Sequence, residues 1–509
     1  MNKFSSLLIL IGIVVFLVFN SLVDLGDRRI TITAGVAILM AFWWMTETLP
    51  LYVTALIPLI IFPLTGVLSA SKVSDAYINS TIFLFIGGFL IAIAIETWNL
   101  HKRIALKIIL FFGAEPTKLL FGFMIASAFL SMWISNTATI MMMLPVAFAV
   151  LKHFEQSSVK NENLSKALLL SIAYSCSIGG IATLVGTQPN LVFVRITKIS
   201  FPNSPTVSFF EWMLIALPIS VLILILTYFL VKTLFRISDE FLISSSINKR
   251  DFIKEEYKKL GRMSYEEKVV TAVFLTTIFL WITKTNIDIG FIKLTGWANI
   301  LKIENYVDDS TVAIFSAFIL FVIPATKFNS IKDLKKIFTY NQRILSINSV
   351  EKIPWNVILL FGGGFALASA FTETGLSILI GSKLKYLSGV DELILILVVS
   401  ITINFLTELT SNTAVTQMIL PILASISLSL NIHPFLLMIP ATIAASMAFM
   451  LPAGTPPNTI VFSSNKLKII DMVKTGFILN LVSTIVISIT VYYLGNIIFK
   501  LNVFPQWAR

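Results

Sequence analysis

Long apolar runs separated by short polar segments dominate the chain of 509 residues. A helix needs about 20 mostly apolar residues to cross a bilayer, and many of the runs have about that length. The predicted spans are 5–23, 30–46, 51–67, 81–98, 166–184, 210–235, 268–284, 309–325, 356–380, 434–451 and 476–499. The pattern predicts an all-α polytopic membrane protein with about 11 transmembrane helices.

The composition excludes several other classes of protein. Hydrophobic residues make up 56% of the chain and charged residues 13%, about half the charged share of a soluble protein. The net charge of +11 does not indicate nucleic-acid binding, because the basic residues lie in short segments between apolar runs, where they bias membrane topology. The single cysteine, Cys176, and three histidines are too few for a His/Cys metal cluster.

Two further apolar stretches, 118–150 and 391–424, are too long for one span, and each contains a polar triplet near its middle. Polar, non-helical backbone is tolerated at membrane depth only where protein buries it or water reaches it. We therefore predict two re-entrant hairpins whose triplets line a cavity. The triplets are Ser135-Asn136-Thr137 and Ser411-Asn412-Thr413.

The triplets belong to a longer internal repeat. Three motifs recur at a spacing of 276 positions (411 − 135), and a fourth, a loop, recurs at 268 (454 − 186). The pairs are Gly87-Gly88-Phe89 with Gly363-Gly364-Phe365, the two triplets, Leu144-Pro145 with Leu420-Pro421, and Gly186-Thr187-Gln188-Pro189-Asn190 with Gly454-Thr455-Pro456-Pro457-Asn458. Four motifs in one order make a duplicated architecture the better explanation than chance.

Each copy of the repeat contains five predicted spans and one hairpin. Because five is odd, the second copy must lie upside down in the membrane relative to the first, with the two hairpins entering from opposite faces. The predicted organisation is an N-terminal span at 1–29, the first inverted repeat at 30–235, a cytoplasmic linker at 236–267, the second inverted repeat at 268–499 and a C-terminal tail at 500–509.

Lys and Arg are distributed unevenly between the two sides of this arrangement. The side of the N-terminus holds 26 of the 38, and the other side holds 12. Since cytoplasmic loops carry the excess of Lys and Arg, the N-terminus is predicted in the cytoplasm and the C-terminus outside. The first run, 5–23, lacks a small-residue cleavage site and is predicted to be retained as a span. The low cysteine content and the absence of a targeting extension suit a bacterial inner membrane.

An inverted repeat with polar breaks near the midplane is typical of a secondary transporter. Helix N-termini at the breaks suit an anion such as a carboxylate. Carbonyl, hydroxyl and amide oxygens at the same breaks suit sodium. Ser131 lies one helical turn before Ser135, and Thr407 lies one turn before Ser411, so each pair shares a helix face and could point at one ligand.

Other functions fit the sequence less well than symport. A channel would need rings of charged residues, and an enzyme would need a catalytic motif such as H-E-x-x-H or G-x-S-x-G. The sequence has neither, so we do not expect an enzyme. Acidic residues in or near apolar runs are candidate proton carriers, which leaves proton coupling as an alternative. These acids are Glu47, Glu96, Glu373 and Glu408.

The chain resembles the divalent anion:sodium symporter family over essentially its whole length. The resemblance is carried by the paired triplets, the paired loops, Trp43-Trp44-Met45-Thr46-Glu47 and Leu406-Thr407-Glu408. The resemblance implies a homodimer that moves its substrate by an elevator motion. In each protomer, spans 1–4 and 7–9 would form a scaffold, and the hairpins with spans 5, 6, 10 and 11 would carry the cargo.

The resemblance also implies the ligands of the site. One sodium would contact Ser131, Ser135, Asn136 and the Gly186 backbone, and a second would contact Thr407, Asn412 and the Gly454 backbone. The substrate carboxylates would be held by Asn136, Thr137, Thr187, Asn412, Thr413 and Thr455. Gln188 departs from the family, which often has Pro there, as Pro456 is in the mirrored loop.

Sodium-coupled uptake of succinate, malate or fumarate is the function that this resemblance favours, with two or more sodium ions as coupling ions. The alternatives are a dicarboxylate exchanger, a proton-coupled transporter, or a transporter whose substrate is citrate or sulfate. No Lys or Arg lies in the motifs, so sodium must supply the charge that balances a dianion.

Overall fold

The structure is a computed structural model that describes residues 3–113, 115–156, 162–238, 246–288, 293–325 and 343–508. Helices form almost all of its regular structure, and the strands in these ranges are the short antiparallel pair β1 (Ile287–Asp288) and β2 (Lys293–Leu294). Single turns of 3-10 helix lie at Lys385–Leu387 and Gln506–Ala508.

The helices follow one another along the chain. Those before residue 240 are α1 (Lys3–Leu22), α2 (Arg28–Thr46), α3 (Leu51–Thr54), α4 (Ile57–Thr65), α5 (Ala70–Tyr77), α6 (Ser80–Thr97), α7 (Leu100–Phe112), α8 (Pro116–Ser131), α9 (Asn136–Gln156), α10 (Glu162–Gly180), α11 (Gln188–Ser200) and α12 (Phe209–Leu234). Those after residue 240 are α13 (Ser246–Lys259), α14 (Tyr265–Ile282), α15 (Trp297–Ile300), α16 (Asp309–Val322), α17 (Asn348–Glu351), α18 (Trp355–Thr374), α19 (Leu376–Lys383), α20 (Glu392–Thr407), α21 (Asn412–Leu430), α22 (Phe435–Ala444), α23 (Pro456–Phe462) and α24 (Ile469–Phe499).

Seven helical stretches in the described part of the chain are long and apolar enough to cross a membrane. They are Ser5–Leu22, Arg28–Thr46, Ala70–Thr97, Phe209–Leu234, Trp355–Thr374, Asn412–Leu430 and Ile469–Phe499. Shorter apolar helices of 10–17 residues accompany them, among them α8, α16, α20 and α22. The predicted helical class is therefore confirmed, whereas the eleven predicted spans do not each correspond to one long helix.

Several predicted spans are broken by local backbone chemistry. The span predicted at 51–67 is divided into α3 and α4, the second of which begins beside a proline. The span predicted at 356–380 ends at Thr374, because Gly375 adopts a φ of 81°, which terminates a helix. The spans predicted at 166–184 and 434–451 end early, since their last residues are unwound into the two loops described below.

Both hairpin regions consist of two helices separated by a short break at the triplet. The helix before the first triplet is Pro116–Ser131, and the helix before the second is Glu392–Thr407. The start and the end of the second helix each lie 276 positions after those of the first (392 − 116 and 407 − 131), which is the spacing of the triplets. The sequence repeat is thus matched by a repeat of helix boundaries.

The repeated glycines lie where helices approach closely. A Cβ atom on Gly87 would lie 2.6 Å from the Cβ of Ala313, and one on Gly363 would lie 2.4 Å from the carbonyl oxygen of Ala55. Neither position has room for a side chain, so each glycine lets its helix pack directly on a neighbour.

A buried ion pair fixes the start of α14 to α7. The Arg103 guanidinium donates to both carboxylate oxygens of Glu267, at 2.8 and 3.0 Å. It also donates to the carbonyl oxygens of Gly261 and Leu260, at 3.0 and 3.2 Å. This joins the end of the predicted linker, 236–267, to the first half of the chain; residues 239–245 of that linker lie outside the described ranges.

The predicted C-terminal tail packs against the protein up to its last described residue. The side chain of Leu501 is buried, and the Trp507 ring lies 5.4 Å from Phe201 and 5.5 Å from Phe435, between ring centroids. The tail therefore covers the ends of α11 and α22.

Candidate functional site

Each triplet is tied to the helix that precedes it by a hydrogen bond between side chains. The Ser131 hydroxyl donates to Oδ1 of Asn136 at 2.5 Å. In the second copy, the Thr407 hydroxyl donates to Oδ1 of Asn412 at 2.6 Å. Both hydroxyl-bearing residues have no solvent exposure. The predicted partners on a shared helix face were Ser135 and Ser411, but the preceding helices end at Ser131 and Thr407, so in both copies the hydroxyl meets the asparagine five positions later instead.

Each Gly-Thr-x-Pro-Asn motif lies where an unwound segment meets the next helix, with Gly-Thr at the end of the segment and x-Pro-Asn in the first helical turn. The first segment joins α10, which ends at Gly180, to α11, which begins at Gln188. The second joins α22, which ends at Ala444, to α23, which begins at Pro456. Breaks of this kind leave backbone groups without helical partners.

The asparagine of each motif binds the free carbonyl groups of its own segment. The Asn190 amide donates to the carbonyl oxygen of Thr183 at 2.7 Å and, more weakly, to those of Gly180 and Ile181, both at 3.3 Å. The Asn458 amide donates to the carbonyl oxygens of Ala448 and Leu451, at 3.0 and 3.1 Å. Both asparagines are fully buried, so they support the loops from within the protein.

Both triplets and both loops line one cavity of about 760 Å³. All the residues predicted to hold the substrate lie on its wall. These are Asn136, Thr137, Thr187, Asn412, Thr413 and Thr455. Elements that are hundreds of residues apart in the chain therefore converge on one space.

The predicted sodium ligands divide into two groups. Those on the cavity wall are Ser135, Asn136, Gly186, Asn412 and Gly454. Ser131 and Thr407 do not line the cavity and lie behind it, where they contact Asn136 and Asn412.

Carbonyl oxygens surround Gly186 closely. A Cβ atom at this position would lie 2.5 Å from the carbonyl oxygen of Gly180, 2.9 Å from that of Ser131 and 3.0 Å from that of Met132. The Oδ1 atom of Asn136 lies 2.8 Å from a Cβ placed on the neighbouring Gly180. Neutral oxygens from the first hairpin region and the first loop thus cluster around these two glycines, a donor set that suits sodium.

The second copy has a related but different set of oxygens. The Thr407 hydroxyl lies 2.8 Å from the carbonyl oxygen of Ala445. A Cβ atom on Gly454 would lie 3.1 Å from Oε2 of Glu408 and 3.4 Å from the carbonyl oxygen of Leu451. A carboxylate is therefore present here, whereas the repeat mate of Glu408 in the first copy is Met132 (408 − 276).

Glu408 is buried and accepts hydrogen bonds from the second loop. Its Oε1 accepts from the backbone N–H of Phe449 at 2.6 Å and of Met450 at 2.8 Å, and its Oε2 accepts from the N–H of Leu451 at 2.9 Å. Since a carboxylate only accepts, this arrangement holds the unwound backbone at 449–451 in place.

The three remaining acids that are candidate proton carriers have surroundings different from those of Glu408. Glu373 forms an exposed ion pair with Lys72, at 2.7 Å. Glu96 lines a separate cavity of about 570 Å³ together with His101; burial lowers the pKa of His101 below its ordinary value, so this imidazole is neutral at pH 7. Glu47 lines the main cavity.

The electrostatics of the main cavity come from dipoles more than from charged side chains. Among the described residues on its wall, Glu47 is the one charged residue, and none is Lys or Arg. The N-termini of α9, α21 and α11 begin at wall residues Asn136, Asn412 and Gln188. Helix N-termini carry partial positive charge and free N–H groups, so the wall favours an anion.

Sequence reasoning missed part of the wall. Tyr52, Phe85, Asn356 and Thr459 also line the cavity. They lie outside the repeated motifs, so no pattern in the sequence distinguishes them from packing residues. Glu47 is recognisable as an acid at the end of an apolar run, but nothing in the sequence places it beside the triplets.

The sequence profile described as the sodium:sulfate symporter transmembrane region matches residues 1–501. The chain belongs to this family. The match confirms the divalent anion:sodium symporter family that the paired motifs predicted. It identifies the chain as an integral membrane transporter and not an enzyme.

Similar proteins within the family carry a more specific name. The sodium-dependent dicarboxylate transporter SdcS of Staphylococcus saprophyticus is 42% identical over 477 residues, which cover 92% of this chain and 87% of the relative. The protein of the same name from Staphylococcus aureus strain RF122 is 39% identical over 476 residues, covering 92% of this chain and 86% of the relative.

Two solved structures share the fold at low sequence identity. Neisseria gonorrhoeae MtrF, described as illuminating a class of antimetabolite efflux pumps, has a TM-score of 0.57 at 11% identity and covers 94% of this chain and 98% of its own. The Alcanivorax borkumensis YdaH transporter has a TM-score of 0.52 at 12% identity, and the match covers 86% of this chain and 89% of the YdaH chain. At these identities the likeness concerns the fold alone.

Proposed function

We propose that this protein is a secondary active transporter that uses sodium to drive uptake of small dicarboxylates such as succinate, malate and fumarate. The observation that carries the proposal is the convergence of both triplets and both loops on one cavity that has no Lys or Arg among its described wall residues. The SdcS relatives, at about 40% identity, support sodium and a dicarboxylate as the transported pair.

In this proposal, charge balance couples sodium to the substrate. Removing a dianion from water costs several kcal/mol or more per charge, and helix dipoles with hydroxyl groups offset only part of that cost. Sodium ions bound beside the substrate supply the remaining positive charge. Sodium therefore binds before the dicarboxylate, and two or more ions accompany each substrate.

We assign the ligands as the family resemblance implies. The first sodium contacts Ser131, Ser135, Asn136 and the Gly186 backbone, supported by the carbonyl oxygens that surround Gly186. The second contacts Thr407, Asn412 and the Gly454 backbone. The substrate carboxylates bind Asn136, Thr137 and Thr187 at one end and Asn412, Thr413 and Thr455 at the other, which is supported by the position of all six on one cavity wall.

The alternative to sodium coupling is proton coupling, in which Glu408 would carry the proton. Its carboxylate accepts three backbone hydrogen bonds and one from the Asn480 amide, which favours a fixed structural role over proton transfer. Two more functions compete with the proposal, namely exchange without a sodium gradient and transport of citrate or sulfate. The names of the relatives favour sodium-driven dicarboxylate transport over both.

The proposed architecture has two inverted repeats, an elevator motion and a homodimer in a bacterial inner membrane, with the N-terminus cytoplasmic. The matching boundaries of α8 and α20 support the repeat. The cavity supports the two-part division, because the scaffold regions contribute Tyr52, Phe85 and Asn356 to a wall that the hairpins and loops complete.

The proposal is tested by uptake of labelled succinate into proteoliposomes containing the purified protein. With sodium outside and potassium inside, the account predicts accumulation above the external concentration. With equal sodium on both sides, succinate should only equilibrate. Accumulation that persists without a sodium gradient would refute sodium coupling. A gradient of protons in place of sodium tests proton coupling, and competition by citrate, malate, 2-oxoglutarate and sulfate defines the substrate.

A further inference from the structure

The two loops of the cavity differ at one position of their shared motif. The first reads Gly186-Thr187-Gln188-Pro189-Asn190 and the second Gly454-Thr455-Pro456-Pro457-Asn458. Both Gln188 and Pro456 lie on the cavity wall. A primary amide with two donors and one acceptor thus stands at one end, where the other end has a proline ring with no polar group.

The threonines beside these positions also differ. In the second loop, the Thr455 hydroxyl accepts a hydrogen bond from the backbone N–H of Asn458 at 3.4 Å and so caps α23. In the first loop, Thr187 occupies the same cap position of α11 without a capping hydrogen bond from its side chain. The first end of the cavity therefore presents a hydroxyl that is not used in capping.

Gln188 has no structural partner that would explain it. Its side chain is half-buried and makes no hydrogen bond to another residue in the described part of the chain. By contrast, the Asn190 amide on the same helix is fully buried and donates to three carbonyl groups. The amide of Gln188 is thus free to meet a ligand in the cavity.

Binding of a symmetric dicarboxylate does not explain why the two ends of the cavity differ at Gln188 and Pro456. The six proposed substrate residues form three pairs of identical residue type, which offer the two carboxylates of succinate the same kinds of donor group. An amide can accept from a hydroxyl through its oxygen while it donates to the adjacent carboxylate through its nitrogen. That combination matches a carboxylate whose neighbouring carbon carries a hydroxyl. A third carboxylate would instead need another positive charge, which a neutral amide does not supply.

We infer that Gln188 contacts the substrate and determines specificity, favouring four-carbon dicarboxylates with a hydroxyl beside one carboxylate over the unsubstituted ones. The inference rests on the proposed dicarboxylate transport and deepens it. It also gives the substrate one orientation, with the hydroxyl-bearing end at Thr187 and Gln188 and the plain carboxylate at Thr455.

The test compares L-malate with succinate in proteoliposomes under one sodium gradient. The Gln188→Leu variant keeps the side-chain volume and removes the amide. Its ratio of kcat/KM for malate to that for succinate should fall about five- to tenfold, mainly through the KM for malate, since losing a hydrogen bond to the substrate hydroxyl affects only malate. The same ratio for Gln188→Asn should lie between those of the leucine variant and the unmodified protein. Loss of folded protein cannot change this ratio, because both substrates are measured on one preparation.

Lys198→Gln provides the matched control on the exposed end of the same helix, and its ratio should equal that of the unmodified protein. If the leucine variant does not transport, the malate and succinate concentrations that half-saturate the thermal shift of the purified variant in sodium give the ratio of the two binding affinities instead. A ratio within twofold of the unmodified protein, by either measurement, would overturn the inference while leaving dicarboxylate transport intact. Failure of the unmodified protein to accumulate either substrate would instead overturn the proposed function.

Discussion

The side-chain amide of Asn480 donates a hydrogen bond of 2.8 Å to the Glu408 carboxylate. Asn480 lies on α24 and Glu408 directly follows α20, so this contact joins the second hairpin to the last long helix. Three backbone N–H groups of the second loop complete the shell of the carboxylate. The second loop is thereby fixed by an acidic side chain that the first loop lacks.

Removing this carboxylate should destabilise the protein without changing its pH dependence. In Glu408→Gln, the side-chain NH2 group would face a backbone N–H, and an unsatisfied buried donor costs about 1–3 kcal/mol. We expect a lower melting temperature in detergent. The pH profile of sodium-driven succinate uptake should keep its shape, because Glu408 does not carry protons in this account. A pH dependence that is present in the unmodified protein and absent from the variant would show that it does.

The buried hydroxyls behind the triplets should control sodium affinity. Thr407→Val and Ser131→Ala each remove the hydroxyl bonded to a triplet asparagine. Because each hydroxyl is a proposed sodium ligand that also orients the triplet asparagine, we expect the sodium concentration for half-maximal uptake to rise about tenfold in each. Sodium titration at saturating succinate measures this. Thr407→Ser keeps the hydroxyl and is the control. Unchanged sodium dependence in both variants would show that these hydroxyls only pack.

A methyl group at Gly186 should close the first sodium site. The added Cβ would lie 2.5 Å from the carbonyl oxygen of Gly180, so the surrounding oxygens must move apart. We expect Gly186→Ala to lose sodium-driven uptake at physiological sodium concentrations. Gly122→Ala is the matched control, since its Cβ would meet its nearest neighbours at 3.4 Å, an ordinary contact. Normal uptake in Gly186→Ala would contradict the assigned site.

The Arg103–Glu267 ion pair should show strong coupling. Both side chains are buried, and removing one partner of a buried pair costs about 3–5 kcal/mol because the other charge is left uncompensated. Arg103→Met and Glu267→Leu should each lower the melting temperature markedly. The double variant should be more stable than the sum of the two losses predicts. Strict additivity of the two effects would mean that the pair contributes no coupling.

The sequence was sufficient for the parts of the site that the repeat carries. Polar triplets and proline-containing loops in apolar surroundings are costly unless they are satisfied, so their duplication alone points to a shared cavity. The hydrogen bonds of Asn136 and Asn412 to the preceding helices are the local expression of that pattern.

The rest depended on contacts between distant parts of the chain. Glu408 accepts hydrogen bonds from residues of the second loop that lie 41 to 43 positions later in the chain, and from Asn480, which lies 72 positions later. No periodicity in the sequence encodes such pairs. Span boundaries were predicted from apolar length alone, which cannot detect where a helix unwinds within an apolar run. For that reason, the predicted ends of α10 and α22 lie too far along the chain.

In the proposed mechanism, a dianion is held in this cavity only together with sodium. Equilibrium binding of labelled succinate to the purified protein tests it most directly, in buffers that contain either sodium or the same concentration of potassium. We expect saturable binding in sodium and none measurable in potassium. Equal binding in the two buffers would contradict it, because the wall would then balance the two negative charges without the ion.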